Sequence, residues 1–212
     1  MKWIKFFLSH SIFISLCAVA LCYQTYLLLH EPVDYKIFLF IFFATLSSYN
    51  FYWLVSKFSF NTYSGFQHFI KVNKSYLIIW LFAGVGLIIM AWQLPYLWPY
   101  IIVAVFLTLI YSMPLWPFNW VVALRKAGFL KTTLLSFTWA YVTVIFPAVP
   151  VLFSDVFAVA ALFAARFFFM LLLCTIFDKR DVEADKLHAL HSLATDIKLK
   201  TLHIIMALVF TA

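Results

Sequence analysis

Val156-Phe-Ala-Val-Ala-Ala-Leu-Phe-Ala-Ala-Arg166-Phe-Phe-Phe-Met-Leu-Leu-Leu-Cys174-Thr-Ile-Phe177 runs directly into Asp178-Lys-Arg-Asp181-Val-Glu-Ala-Asp185. The first part carries one charge. As a helix at ~1.5 Å per residue it spans the ~30 Å hydrocarbon core of a bilayer. The second part spaces three aspartates at i, i+3 and i+7. At about 100° per residue, Asp178, Asp181 and Asp185 fall within roughly 60° of one another on a helix. Three such carboxylates repel unless a cation lies among them. Mg²⁺ is the candidate: a hard ion that takes oxygen ligands and brings phosphate-bearing substrates with it. The competing reading is a solvated face whose charge Lys179, Arg180 and Lys186 balance. Position at the mouth of a helix bundle favours function over that reading. Glu183 lies about 140° off this face and is not expected to join it.

Outward from this stretch, the 212 residues are 66% hydrophobic and 11% charged. A soluble domain is about half apolar and a quarter charged. The apolar residues come in long blocks, at about 3–29, 35–56, 75–94, 97–114, 130–153 and 156–177. The expected fold is all-α: one polytopic transmembrane helix bundle over 1–212, with about six full spans. A seventh apolar run from Leu199 to Ala212 covers only about 21 Å, so an incomplete seventh span and missing last helices are expected.

Lys2 and Lys5 precede the first block. Lys57, Lys71 and Lys74 follow the second, Arg125, Lys126 and Lys131 the fourth, and Lys179, Arg180, Lys186, Lys198 and Lys200 the sixth. These are 2 + 3 + 3 + 5 = 13 of the 15 basic residues, all on alternate loops. Glu31, Asp34 and Asp155 lie in the other loops, with only Lys36 nearby. The positive-inside rule then places the N-terminus and the Asp178 loop in the cytoplasm of a multi-pass integral membrane protein. The net charge of +7 is spread over these loops, not gathered into a patch, so no nucleic-acid partner is expected; the partner is the lipid bilayer. The first block is too long for a signal-peptide core and is read as a retained span. Cys17, Cys22 and Cys174 lie in apolar runs and are read as packing residues. Trp92, Tyr96, Trp98 and Tyr100 read as an interfacial aromatic belt. With four glycines in all, close small-residue helix packing is not expected.

Phe177–Asp185, closing a sixth apolar span, resembles the second aspartate-rich motif of UbiA-type intramembrane prenyltransferases. Leu109-Ile-Tyr-Ser-Met-Pro114, the basic loop Leu124-Arg-Lys-Ala-Gly-Phe-Leu-Lys131 and Trp139 are similar to that family in order and spacing. The resemblance runs from about the second span to the C-terminus. It implies a ring of nine helices and two aspartate motifs that hold Mg²⁺ and a prenyl diphosphate. It also implies transfer of the prenyl group to a small acceptor, often aromatic, in a membrane such as the bacterial inner membrane. Asp178, Asp181 and Asp185 would be the metal and catalytic residues, and Arg125, Lys126, Lys131 and Asn50 the diphosphate contacts. Metal and basic side chains would neutralise the leaving group, and a dry aromatic pocket would stabilise an allylic cation.

The first motif of the family departs here. Its place is Ser48-Tyr-Asn-Phe-Tyr-Trp-Leu-Val-Ser-Lys-Phe58, where Asn50 matches the family's asparagine but Phe51, Leu54 and Phe58 stand where acids should be. An asparagine in an apolar span can equally serve an interhelical hydrogen bond. Two readings therefore remain: a prenyltransferase with slow or lost activity, and a non-catalytic membrane protein that binds an isoprenoid or a partner. His188 and His191 offer a weaker His–His–Asp metal reading beside a solvated loop face. Arg166, midway along its span, needs a partner or a wet cavity.

Overall fold

The computed structural model describes residues 2–60, 66–112 and 128–187. Among the described residues all regular structure is helical, with no strand. The helices are α1 (Lys2–Ser9), α2 (Ile12–Leu28), α3 (Tyr35–Phe60), α4 (Phe66–Val72), α5 (Lys74–Gln93), α6 (Trp98–Ser112), α7 (Gly128–Ala140) and α8 (Val156–Leu187). Among the described residues, four stretches are long and apolar enough to cross a membrane: Tyr35–Phe58, Lys74–Gln93, Thr132–Val151 and Val156–Lys179. Ile12–Leu28 and Pro95–Ile110 are shorter apolar helices. The helical membrane class expected from the composition is therefore present.

The first apolar block is not one continuous span over 3–29. It breaks between α1 and α2, where Ser11 takes a left-handed conformation with φ 62°. The cause is local polarity. Ser9 Oγ donates to Phe6 O at 3.2 Å, and His10 Nδ1 lies 3.0 Å from the same carbonyl. Side chains that bond the backbone of the preceding turn compete with helix continuation. What remains, α2, has 17 residues and reaches only about 26 Å.

The chain divides into two compact units, residues 1–102 with 146–150, and residues 103–145 with 151–212. In the first unit α3 packs between α2 and α5. Ile37, Phe40, Ile41 and Leu46 of α3 are buried there. Tyr26 meets Phe38 edge-on at 5.8 Å, and Phe146 packs on Phe40 at 5.5 Å. Contrary to the expectation from glycine scarcity, one glycine does set a close helix approach. A Cβ on Gly86 of α5 would stand 2.8 Å from the Phe43 ring of α3, so any larger residue displaces that ring. α5 also exposes Ile78, Phe82, Val85 and Ile88, the apolar-outward pattern of a helix solvated by lipid, with Phe82 at the edge of that stripe meeting the Phe43 ring at 5.8 Å. α5 runs antiparallel to α3: Tyr96, just past its end, donates to Asp34 Oδ2 at 3.3 Å beside the start of α3, while Tyr76 near its start stacks on Trp53 near the end of α3. Trp92 and Trp98 are exposed at the Asp34 end, as an interfacial belt requires.

In the second unit α7 and α8 form the main pair. Phe137 of α7 meets Phe163 and Phe167 of α8 at ring distances of 5.2 and 6.4 Å. α7 does not run on regularly. Tyr141–Ile145 widens into a π-turn. Pro147 explains it: a proline lacks the N–H that the Thr143 carbonyl would accept, and its ring crowds that carbonyl. Widening the preceding turn relieves both. Cys17, Cys22 and Cys174 form no disulfide, and Cys22 and Cys174 are buried.

Candidate functional site

α8 is the helix that the aspartate spacing requires. It runs unbroken over 32 residues, about 48 Å, and outlasts the hydrocarbon core. Asp178, Asp181 and Asp185 therefore share one face at its far end, beyond the long apolar part. The side chains from Arg180 onward lie outside the described ones, so the carboxylate geometry is seen at Asp178 alone. There, Thr132 in the first turns of α7 donates its hydroxyl to Asp178 Oδ2 at 2.5 Å. Thr132 is itself buried, so it fixes the carboxylate where α8 leaves the apolar layer.

A polar seam continues from Thr132 between α7 and α8. Ser136, one turn on, donates to Thr132 O at 2.8 Å and also bonds the side chain of Cys174, one turn before Asp178. Deeper still, Thr143 in the π-turn donates to Trp139 O at 2.7 Å and accepts from Arg166 Nη1 at 3.3 Å. Arg166 is only 4% exposed. The partner that a mid-span arginine demands thus includes a hydroxyl on the facing helix, placed by a proline-induced irregularity. The sequence did carry a signal for this seam. Thr132, Ser136 and Thr143 recur at i, i+4 and i+11, a helical period of hydroxyls on one face, with Thr133 and Thr138 off it.

The other candidate residues fall elsewhere. Arg125, Lys126, His188 and His191 lie outside the described residues. Lys131 is helical in backbone, within α7, and its side chain is not among the described ones. Asn50 belongs to the first unit and is fully buried at 0% exposure. Its Nδ2 donates to His10 O at 3.0 Å and to Leu46 O at 2.8 Å. The interhelical hydrogen bond that the sequence left open is therefore made, to the carbonyl freed where α1 breaks from α2. Asn50 Oδ1 has no hydrogen-bond partner among the described residues.

The neighbours of Asn50 are packed. Phe51 stacks on Trp80 at 5.9 Å, Leu54 is 8% exposed, and Phe58 meets Phe69 edge-on at 5.5 Å. These are the positions where the resembling family has acids. Next to them, His10 is held on several sides. Its Nδ1 lies 3.0 Å from Phe6 O and 2.9 Å from Ser9 Oγ, and its Nε2 lies 3.1 Å from Ser75 Oγ. Its ring stacks on Tyr76 at 4.2 Å.

For Mg²⁺, the donor set on α8 has the right chemistry: carboxylate oxygens on one helix face, the first of them oriented by Thr132. Among the described residues, no three His, Cys, Asp or Glu side chains come together to hold a metal. Comparison with protein-family models, with curated proteins and with solved structures gives no match to this chain.

Proposed function

We propose that this chain is a membrane prenyltransferase of the UbiA type, in which α8 presents the diphosphate-binding carboxylates. The observation that carries the reading is the unbroken course of α8 from Val156 to Leu187, which puts Asp178, Asp181 and Asp185 on one face past a membrane-length apolar segment. Asp178, Asp181 and Asp185 would hold Mg²⁺, which supplies charge neutralisation to a diphosphate leaving group. Thr132 keeps the Asp178 carboxylate aimed. Arg125, Lys126 and Lys131 would add positive charge to the same diphosphate. The acceptor is a small molecule, and its ring or heteroatom attacks the prenyl carbon as the carbon–oxygen bond to diphosphate breaks.

The test is binding rather than turnover. Mg²⁺ and a prenyl diphosphate such as geranyl diphosphate are expected to bind together and poorly apart, since bare carboxylates and bare diphosphate repel. Asp181→Asn in purified protein is expected to weaken Mg²⁺-dependent binding by roughly tenfold or more, the worth of one charge-assisted contact of about 1.5–3 kcal/mol. Equal binding by wild type and Asp181→Asn supports the solvated-face reading instead.

The orientation proposed with it follows from the loop charges. The N-terminus and the Asp178–Lys200 segment share the cytoplasmic side. Reporters fused after Lys71, Lys131 and Lys186 are expected to read inside, and one near Asp155 outside. An outside signal after Lys186 removes both the map and the site.

The second reading, a non-catalytic isoprenoid- or partner-binding protein on the same scaffold, has its own observation. The amide of Asn50 is engaged with His10 O and Leu46 O, and Phe51, Leu54 and Phe58 fill apolar contacts. A protein without the first acidic motif can still hold a diphosphate or an isoprenoid tail without turning it over.

A further inference from the structure

One end of the first unit is basic, aromatic and free of carboxylates. In residues 1–102 the only acids are Glu31 and Asp34. Both precede α3, and α3 is 26 residues long, about 39 Å. Lys57, in the last turn of α3, is therefore at the other end. Its Nζ lies 5.2 Å from the Trp53 ring centroid, over the face. Trp53 stacks on Tyr76 at 3.6 Å, Tyr76 on His10 at 4.2 Å, and His10 on Phe6 at 4.1 Å. This column ties α3, α5 and α1 together at one end. Lys71 of α4 and Lys74, the first residue of α5, are exposed beside it, and Lys5 of α1 is exposed as well.

α1 is the unexplained part of this end. It leaves the course of α2 at the left-handed Ser11 and is pinned back through His10 to Ser75. Three of its apolar side chains stay largely exposed: Ile4 is 64%, Phe6 41% and Leu8 54% exposed. An exposed apolar helix carrying lysine, next to exposed lysines and a Lys57 over the Trp53 ring, matches the layer where phosphate headgroups meet acyl chains. A soluble polyanion would satisfy the lysines but would leave Ile4, Phe6 and Leu8 against water.

We propose that this end of the first unit is a docking surface for anionic phospholipid. α1 lies in the headgroup layer with Ile4, Phe6 and Leu8 at the acyl boundary. Lys5, Lys57, Lys71 and Lys74 hold the phosphates, and Trp53 and Tyr76 keep the Lys57 stem at that depth. The inference rests on the membrane character of the chain and not on prenyl transfer.

The experiment uses the full chain in a neutral maltoside detergent. Phosphatidylglycerol and phosphatidylcholine of the same acyl chains are titrated in, with lipid retention read by native mass spectrometry and melting temperature read in parallel. Phosphatidylglycerol is expected to be retained and to raise the melting temperature, and phosphatidylcholine is not. Each lysine at the surface contributes about fivefold, so the K57Q/K71Q/K74Q variant is expected to lose affinity for phosphatidylglycerol by roughly 100-fold. Its melting temperature without lipid should fall by no more than a few degrees, because Lys71 and Lys74 are exposed and Lys57 gives up only its contact over Trp53, a weak attraction. Should the triple variant fail to fold, K5Q/K74Q touches exposed side chains only and is expected to lose about 25-fold. Equal retention of the two lipids, or full retention of phosphatidylglycerol by a folded variant, overturns the proposal. So does a single-stranded oligonucleotide that binds the wild type in detergent where phosphatidylglycerol does not.

Discussion

Prenyl transfer by this chain is expected to run about a thousandfold or more below ordinary enzyme rates. The reason lies at the end of α3. In the resembling family that segment supplies acids to a second metal, whereas here it supplies Phe51, Leu54 and Phe58. On the proposed reading, the diphosphate's charge would then be left to a metal held by the α8 aspartates and to Arg125, Lys126 and Lys131. A shortfall of ~4 kcal/mol in leaving-group stabilisation is about a thousandfold in rate. The structure adds that restoring acids at 51, 54 and 58 is not expected to rescue activity. Leu54 is buried, Phe51 stacks on Trp80 and Phe58 packs on Phe69. Carboxylates at 51 and 54 would be desolvated and would hold their protons, or would break the packing, and one at 58, which is 54% exposed, would act alone. The assay is transfer from a radiolabelled prenyl diphosphate to several phenolic and quinone-precursor acceptors. Turnover of ~1 s⁻¹ or more, abolished by Asp178→Ala, shows that one aspartate motif suffices.

Asn50→Asp is expected to be among the most damaging single changes in the first unit, although the two side chains have the same shape. Both bonds made by Asn50 are donated by its amide nitrogen to carbonyl oxygens. A carboxylate has no proton to donate, so it would face the His10 and Leu46 carbonyls as three acceptors with nothing between them. At 0% exposure it has no water to turn to. The loss should reach about 3 kcal/mol or more, the scale for an uncompensated buried charge. In detergent that corresponds to a drop in melting temperature of roughly 6–12 °C. Asn50→Leu should cost less, about 1–2 kcal/mol. It leaves His10 O without its donor, but it also removes Oδ1, a buried acceptor that has no hydrogen-bond partner among the described residues. Amide exchange in residues 2–11 should rise in both variants, because the bond to His10 O is what fixes the break between α1 and α2. A metal or diphosphate role for Asn50 predicts the reverse ranking: Asn50→Asp would be well tolerated and would bind Mg²⁺ more tightly. A melting temperature for Asn50→Asp within a degree of wild type overturns the structural account.

The helical membrane class was legible in the sequence because in a bilayer every backbone polar group must be satisfied within its own segment. A long apolar run without strand punctuation then leaves helix as the only solution, and 156–177 states it in one line. The shared face of Asp178, Asp181 and Asp185 was legible for the same reason, since helical register depends on spacing alone once the helix is unbroken. The aromatic ends also followed from composition. Other features needed tertiary contacts. The polar residues Ser9, His10 and Ser11 could have been carried within a continuous span, and only their bonds to Phe6 O, Ser75 and Asn50 show why α1 separates from α2. Gly86 looked like one of a few scattered glycines until Phe43 was found against it. The partners of Asp178 and Arg166 are 46 and 23 residues away in the chain. Their pairing depends on how α7 faces α8 and on where Pro147 forces the π-turn. Periodicity within one segment reports which residues share a face. It carries no information on what the next segment sets opposite that face, and hydrogen bonds between helices are decided there.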